Sequence, residues 1–388
     1  MKILYITHFD VSDINSCSGT IYHIKNMLEN LNHEIIIIDN LKLSKIYKCL
    51  IKSISKIFGK KTLIEREPYI LKCFARELEK RTKNLEYDLI FAPTSLYFTF
   101  FKSKKPMVFY TDATFGGMLD YYINSNDYTK RAIKNGFNQE NLALKNADLA
   151  IYTSNWAKNT AIKFHNINPD KCVVINRGAN IKHSYSENEI FHFINKKNLA
   201  NGTNKCEFMF LGKDWVRKGG VLACEVVRIM NEKYKVKSTL NIIGSTPKIE
   251  EKYQKYVNIV GFLNKNIKSD YEKLESLFKK SDFFLLPTRQ EAQGISYAEA
   301  CSWGMPVIGT NTGGVSGIVK NNINGLLFES SDSAEKYVAE IMKYVKNPNN
   351  YIKLSQNAYK YFEEYLTWNV VGKRINKELE RIIKKNNK

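Results

Sequence analysis

Acid is in short supply in this chain: 39 Asp and Glu stand against 59 Lys and Arg, a formal charge of +20 over 388 residues. An excess of that size draws polyanions, whether nucleic acid, an anionic membrane face or phosphate-bearing ligands, and does not choose among them. Paired cysteine motifs are missing too. The seven cysteines are scattered (Cys17, Cys49, Cys73, Cys172, Cys206, Cys224, Cys301) with no Cys-x-x-Cys. That argues against a zinc site or a disulfide framework and for reduced, mostly buried thiols in a cytosol. Long apolar runs are absent. The longest uncharged stretch, Leu89 to Phe101, is broken by Pro93 and is too short for a bilayer. Met1 to Thr7 enters a strand pattern directly, without signal-peptide architecture, so a soluble protein, at most bound to a membrane surface, is expected. With 8 prolines and 20 glycines in a chain 44% hydrophobic, neither a collagen repeat nor extended disorder fits.

What is present is a repeating alternation. The length favours two domains over a single core. Residues 2–7 form a short apolar run. A polar loop with Ser18-Gly19-Thr20 follows, then helical spacing through Ile21, Ile24, Met27, Leu28 and Leu31, then a second run at Ile35–Ile38. Further runs at 88–92, 107–110, 149–153 and 173–175 continue the series, and fully apolar strands between helix-length segments predict a parallel sheet covered on both faces. A second series has runs at 208–211, 239–243, 257–260, 283–286 and 307–308, with a helix over about 219–233 and three helical patterns at the end of the chain. The expected organisation is an α/β chain with a first domain over 1–183, an Asn-, Lys- and Ser-rich linker over 184–205 and a second domain over 206–365. A terminal helix over 366–388 could pack back on the first domain, which the sequence alone does not show.

The chemistry concentrates in Phe283-Phe-Leu-Leu-Pro-Thr-Arg-Gln-Glu291-Ala-Gln-Gly294-Ile-Ser-Tyr-Ala-Glu299, which runs on to Gly304-Met-Pro306 and Thr312-Gly313-Gly314. A strand ends at Pro287, a helix opens near Gly294, and a second strand leads to a glycine pair. Both loops fall at the carboxyl ends of strands, where open α/β sheets bind ligands. The helix start at Gly294 and Ile295 offers free N–H groups to a phosphate or a sugar hydroxyl. A second cluster, Gly212-Lys213-Asp214-Trp215-Val-Arg217-Lys218-Gly219, sets three cations beside another helix start, which suits a pyrophosphate.

These segments resemble glycosyltransferase family 4, the retaining enzymes of GT-B fold, through a Glu-x7-Glu pair (Glu291, Glu299) followed by Gly-x-Pro and Gly-Gly. The resemblance implies two Rossmann-like domains with parallel sheets facing across a cleft. It also implies a hexose transferred from a UDP- or GDP-sugar to a polysaccharide, lipopolysaccharide or glycolipid acceptor. Glu299 would hold the donor ribose and Glu291 the donor sugar, while Lys218, with Lys213 or Arg217, would stabilise the leaving diphosphate. Gly294, Ile295, Gly19, Gly212 and Gly313 complete the expected donor-binding set. The family's Gly-Phe-Gly is Ala292-Gln293-Gly294 here, and Lys213 stands where the family has an arginine. Asp112, after the run at 107–110, is either an acceptor-side residue or a helix N-cap. Ser18-Gly19 is either a tight turn or a diphosphate contact.

No Asp-x-Asp occurs, and the six histidines form no cluster, so no metal site and no cofactor beyond the nucleotide-sugar substrate is expected. Residues 41–61 hold seven lysines (42, 45, 48, 52, 56, 60, 61) and no acid, with Leu43, Ile46, Tyr47, Leu50, Ile54, Ile57 and Phe58 at the apolar positions. This segment is either a core-packed helix with a solvated lysine face or an interfacial helix that meets an anionic membrane. The rival readings of the whole chain are a GT-B sugar-nucleotide epimerase and a non-catalytic polyanion binder; no helix-turn-helix, RNA-recognition or zinc signature supports nucleic acid.

Overall fold

The structure is a computed structural model that describes residues 1–42, 45–57, 59–181 and 184–386. The chain divides into two compact units, Met1–Asn176 with Val371–Lys388, and Arg177–Val370.

The first unit is built on six parallel strands: β1 (Lys2–Ile6), β2 (Glu34–Ile38), β3 (Leu89–Ala92), β4 (Met107–Thr111), β5 (Leu149–Tyr152) and β6 (Cys172–Val174), in the order β2-β1-β3-β4-β5-β6. Ile3 to Ile6 and Leu89 to Ala92 are fully buried, as strands sandwiched between helices must be. The last helix, Trp368–Asn386, enters this unit from Val371 onward. It lies so close to the helix Thr20–Glu29 that a Cβ on Gly372 would sit 2.9 Å from Met27 Cγ, and Asn376 Oδ1 is 2.8 Å from His33 Nε2.

The second unit has β7 (Lys205–Leu211), β8 (Lys237–Ile243), β9 (Val257–Gly261), β10 (Phe283–Leu286), β11 (Val307–Thr310) and β12 (Gly325–Phe328), all parallel in the order β12-β11-β10-β7-β8-β9. The chain steps outward from β7 to β9, then returns to the other side of β7 and steps outward again from β10 to β12. Strand order therefore reverses between β7 and β10. In open α/β sheets the carboxyl ends of the strands at such a reversal are where ligands bind. The corresponding reversal in the first unit lies between β1 and β3.

Two expectations change. The segment 184–205 is not a linker: Ser186 caps the helix Glu187–Asn195 with a full capping box, and Ile190, Ile194 and Leu199 are buried in the core of the second unit. That unit begins at Arg177, ahead of the expected boundary at 183. Strand β12 has no counterpart in the sequence reading, because Gly-Leu-Leu-Phe after an Asn-rich turn is too short to show a period.

Candidate functional site

Three loops of the second unit converge at the reversal point. β7 ends at Leu211, and the loop that follows from Gly212 is held by its own backbone: Lys218 N donates to Asp214 O (3.0 Å) and Gly220 N to Trp215 O (3.0 Å). Gly219 closes the loop at φ 76° before the helix Gly220–Glu232. A Cβ there would lie 1.9 Å from Pro287 O, so only glycine allows this loop to press against the end of β10.

The loop after β10 is stitched to it. Arg289 N donates to Arg217 O (2.8 Å), and Thr288 Oγ1 donates to the same carbonyl (3.2 Å). Arg217 reaches over with Nη1 donating to Gln290 O (2.9 Å), while Asp214 accepts from its Nε (3.2 Å). The loop after β11 closes the third side, as Gly314 N donates to Glu291 O (3.0 Å) and Thr312 Oγ1 to Arg289 O (3.3 Å). Gly313 in that loop is left-handed, with φ 53°.

At the centre, Lys218 Nζ and Glu291 Oε2 are in direct contact, and Arg217 Nη1 lies 3.8 Å from the same carboxylate. Two cations beside a helix start, counterbalanced here by Glu291 and Asp214, are groups that can pair with a phosphate. Gly294, at φ 82°, caps the helix Ile295–Cys301. Glu299 is on that helix, 3% exposed, and accepts from Lys265 Nζ (2.7 Å). The same ammonium donates to Asn180 O (3.2 Å).

Sequence reasoning missed Lys265. It sits in the loop after β9, in Asn-Lys-Asn with no motif around it, and only the fold brings it to Glu299. Gln293 is 2% exposed, and neither its Oε1 nor its Nε2 has a hydrogen-bond partner among the described residues.

Other expected residues fall elsewhere. Lys213 is exposed, its Nζ 5.4 Å from the Phe262 ring, and no ion pair among the described residues joins it to Glu291. Gly212 lies against Lys218, whose Cγ would be 3.0 Å from an added Cβ. Gly19 is in the first unit, at φ 84°, as the N-cap of the helix Thr20–Glu29; Cys17 and Ser18 before it are also left-handed. Asp112 follows β4, but Thr114 caps the helix Phe115–Met118 by accepting from Gly117 N (3.0 Å), so the capping role does not belong to Asp112. Among the described residues no group of His, Cys, Asp and Glu suits a metal ion, and no helix is long and apolar enough to cross a membrane.

Known proteins share sequence and fold with this chain. A stretch of 95 residues is 36% identical to sucrose synthase of Denitrovibrio acetiphilus; it covers 24% of this chain but only 12% of that enzyme. Over 200 residues, half of each chain, the sequence is 26% identical to UDP-Gal:alpha-D-GlcNAc-diphosphoundecaprenol alpha-1,3-galactosyltransferase of Escherichia coli. Anabaena Alr3699/HepE, solved in complex with UDP-glucose, superposes with a TM-score of 0.64 at 15% identity, over 98% of this chain and 100% of that one. That likeness extends over both six-stranded units and marks the fold as GT-B, two Rossmann-like domains. The model of glycosyl transferases group 1 matches residues 192–361, and that of Glycosyltransferase Family 4 matches 19–183. The loops gathered on Glu291 and Glu299 lie inside the first match, and with the second it accounts for most of the chain, which therefore belongs to the group 1 glycosyltransferases of family 4.

Proposed function

We propose that this glycosyltransferase moves a hexose, with retention, from a uridine diphosphate sugar to a polysaccharide, lipopolysaccharide or glycolipid acceptor. The observation that carries the donor assignment is the convergence of Lys218 and Arg217 on Glu291 at the strand-order reversal of the second unit. As the glycosidic bond breaks, negative charge grows on the departing diphosphate. Lys218 and Arg217 meet it there, already held by the loops after β7 and β10, so little reorganisation is needed. Arg217, not Lys213, takes the guanidinium's part, because Arg217 is the cation these loops bring to Glu291. Glu291 orients the sugar, and Glu299, held by Lys265, receives the ribose hydroxyls. N–H groups at Gly294 and Ile295, with the glycine loop at Gly313, bind sugar and phosphate oxygens. The acceptor hydroxyl attacks on the face the leaving group vacates and passes its proton to the departing phosphate oxygen.

Uridine and a saccharide or lipid-linked acceptor are favoured because one structural neighbour holds UDP-glucose and one relative is named for a UDP-galactose donor and a diphosphoundecaprenol-linked acceptor. Two side-chain cations supply the counter-charge, and we assign no metal to the reaction. Seven free thiols, four of them buried, suit a reducing cytoplasm. A panel of UDP-, GDP-, ADP- and CMP-sugars in thermal melting, followed by transfer assays with and without EDTA, tests the assignment. UDP-sugars raise the melting temperature of wild type, Glu299→Ala loses that rise while staying folded, and EDTA leaves turnover unchanged. Full donor binding by Glu299→Ala, or a preference for another base, rejects the corresponding part.

A further inference from the structure

The helix Lys45–Ile57 does not bury its apolar residues as a single face. Ile51 is 9% exposed. Tyr47 is half-buried, its ring 4.4 Å from that of Tyr69 and its hydroxyl 3.5 Å from Glu67 Oε2, so this side is packed on the first unit. Ile46, Leu50 and Ile57 are instead 86%, 54% and 78% exposed. At 3.6 residues per turn these three positions fall within about 40° of one another, one line along the outer side of the helix. Cys49 is exposed beside them. Leu43 and Phe58, the remaining ends of the expected apolar pattern, lie outside the described residues.

Single exposed aliphatics are ordinary on a protein surface, but a row of them on one helix marks a contact. The surrounding charge says with what. Lys42, Lys52, Lys60 and Lys61 are exposed, the sequence adds lysines at 45, 48 and 56, and no acid occurs between 41 and 61. Lys61 is paired with Asp127 (2.9 Å) and Lys60 donates to Asn126 O, so the charge offered to a partner comes from the helix segment, whose sequence holds four lysines and no acid. Two copies meeting through this row would bring lysine-rich faces together, and like charges oppose that. An anionic lipid surface satisfies both features: aliphatic side chains enter the headgroup–acyl boundary while ammonium groups meet lipid phosphates.

We propose that the helix Lys45–Ile57 docks the protein on an anionic membrane, with Ile46, Leu50 and Ile57 inserted and the lysines at the headgroups. The test is sedimentation of the full chain with phosphatidylcholine vesicles, with and without about a third phosphatidylglycerol. Binding to the anionic vesicles falls steeply with added salt, and pure phosphatidylcholine binds far more weakly. Ile46→Ser/Leu50→Ser/Ile57→Ser lowers binding by about tenfold or more. Lys45, Lys48, Lys52 and Lys56→Gln lower it by about fivefold for each lysine changed. Both variants melt as wild type does. Absence of binding, or a serine variant that binds as well as wild type, overturns the proposal. So does a wild-type dimer that the serine variant converts to a monomer, since the row would then be a self-contact. No donor or acceptor enters the assay, so its outcome is independent of the transfer reaction.

Discussion

Lys218→Met keeps most of the side-chain volume and removes the charge. In the wild type the ammonium contacts Glu291, and the two side chains are only 12% and 11% exposed. Breaking a fully buried pair by removing one partner costs about 3–5 kcal/mol. Here the slight exposure, and Arg217 Nη1 at 3.8 Å from the same carboxylate, offset part of that, leaving about 2 kcal/mol. In a unit of about 190 residues this lowers the melting temperature by about 4–8 °C. The catalytic effect is separate and larger. A cation aimed at charge that appears only on the leaving group contributes about 3–4 kcal/mol, so turnover at saturating UDP-sugar falls by about 10²–10³. Adding Glu291→Gln removes the orphaned acid. The double variant recovers stability, with a coupling of about 1 kcal/mol or more, and recovers no turnover. Scanning calorimetry and a single-turnover transfer assay read the two effects apart. Turnover of Lys218→Met within about fivefold of wild type would falsify the leaving-group role. An unchanged melting temperature would show that the pair contributes nothing net.

Gly219→Ala forces a Cβ to 1.9 Å from Pro287 O in a left-handed backbone, so it displaces the loop that carries Arg217 and Lys218. Folding stability falls by about 2 kcal/mol or more and UDP-sugar binding weakens with it; a fully active Gly219→Ala would disprove the tight loop contact. Gln293→Met removes a buried amide without hydrogen-bond partners and raises unliganded stability by about 1–2 kcal/mol, which thermal melting checks; destabilisation would mean the amide is satisfied in solution. Burial pushes the Lys197 ammonium down to about 8, with Asp282 beside it acting in the opposite direction. A lowered lysine binds fewer protons folded than unfolded, so its contribution is complete above the ordinary value of 10.5 and is lost as pH falls through about 8. The melting temperature of wild type relative to Lys197→Met therefore rises between pH 8 and pH 10.5; a flat difference would mean that the lysine titrates alike in both states.

Eleven of the twelve strands among the described residues lie where short apolar runs stand in the sequence, because a strand buried on both faces has no solvent side to encode. The helix opening at Gly294 was legible too, whereas the need for glycine at 219 came only from the structure, where both residues are left-handed. Glu291, Glu299 and Lys218 stood out through the resemblance to glycosyltransferase family 4, since two acids eight residues apart mean nothing by themselves. What spacing could not decide was partnership. Arg217 and Lys213 are four residues apart and chemically alike as cations, yet only Arg217 is carried to Glu291, because Gly219 folds the loop back against Pro287. Lys265 has no local signature, and its pairing with Glu299 exists only because the loop after β9 and the helix Ile295–Cys301 are brought together in the folded unit. The helix Lys45–Ile57 carries the same lesson: its periodicity announced an apolar pattern, and packing alone determined that Ile51 turns inward while Ile46, Leu50 and Ile57 remain in water. Local patterns are written in residue type and spacing, whereas contacts between distant segments arise from how the sheet orders its strands, which no single stretch of sequence contains.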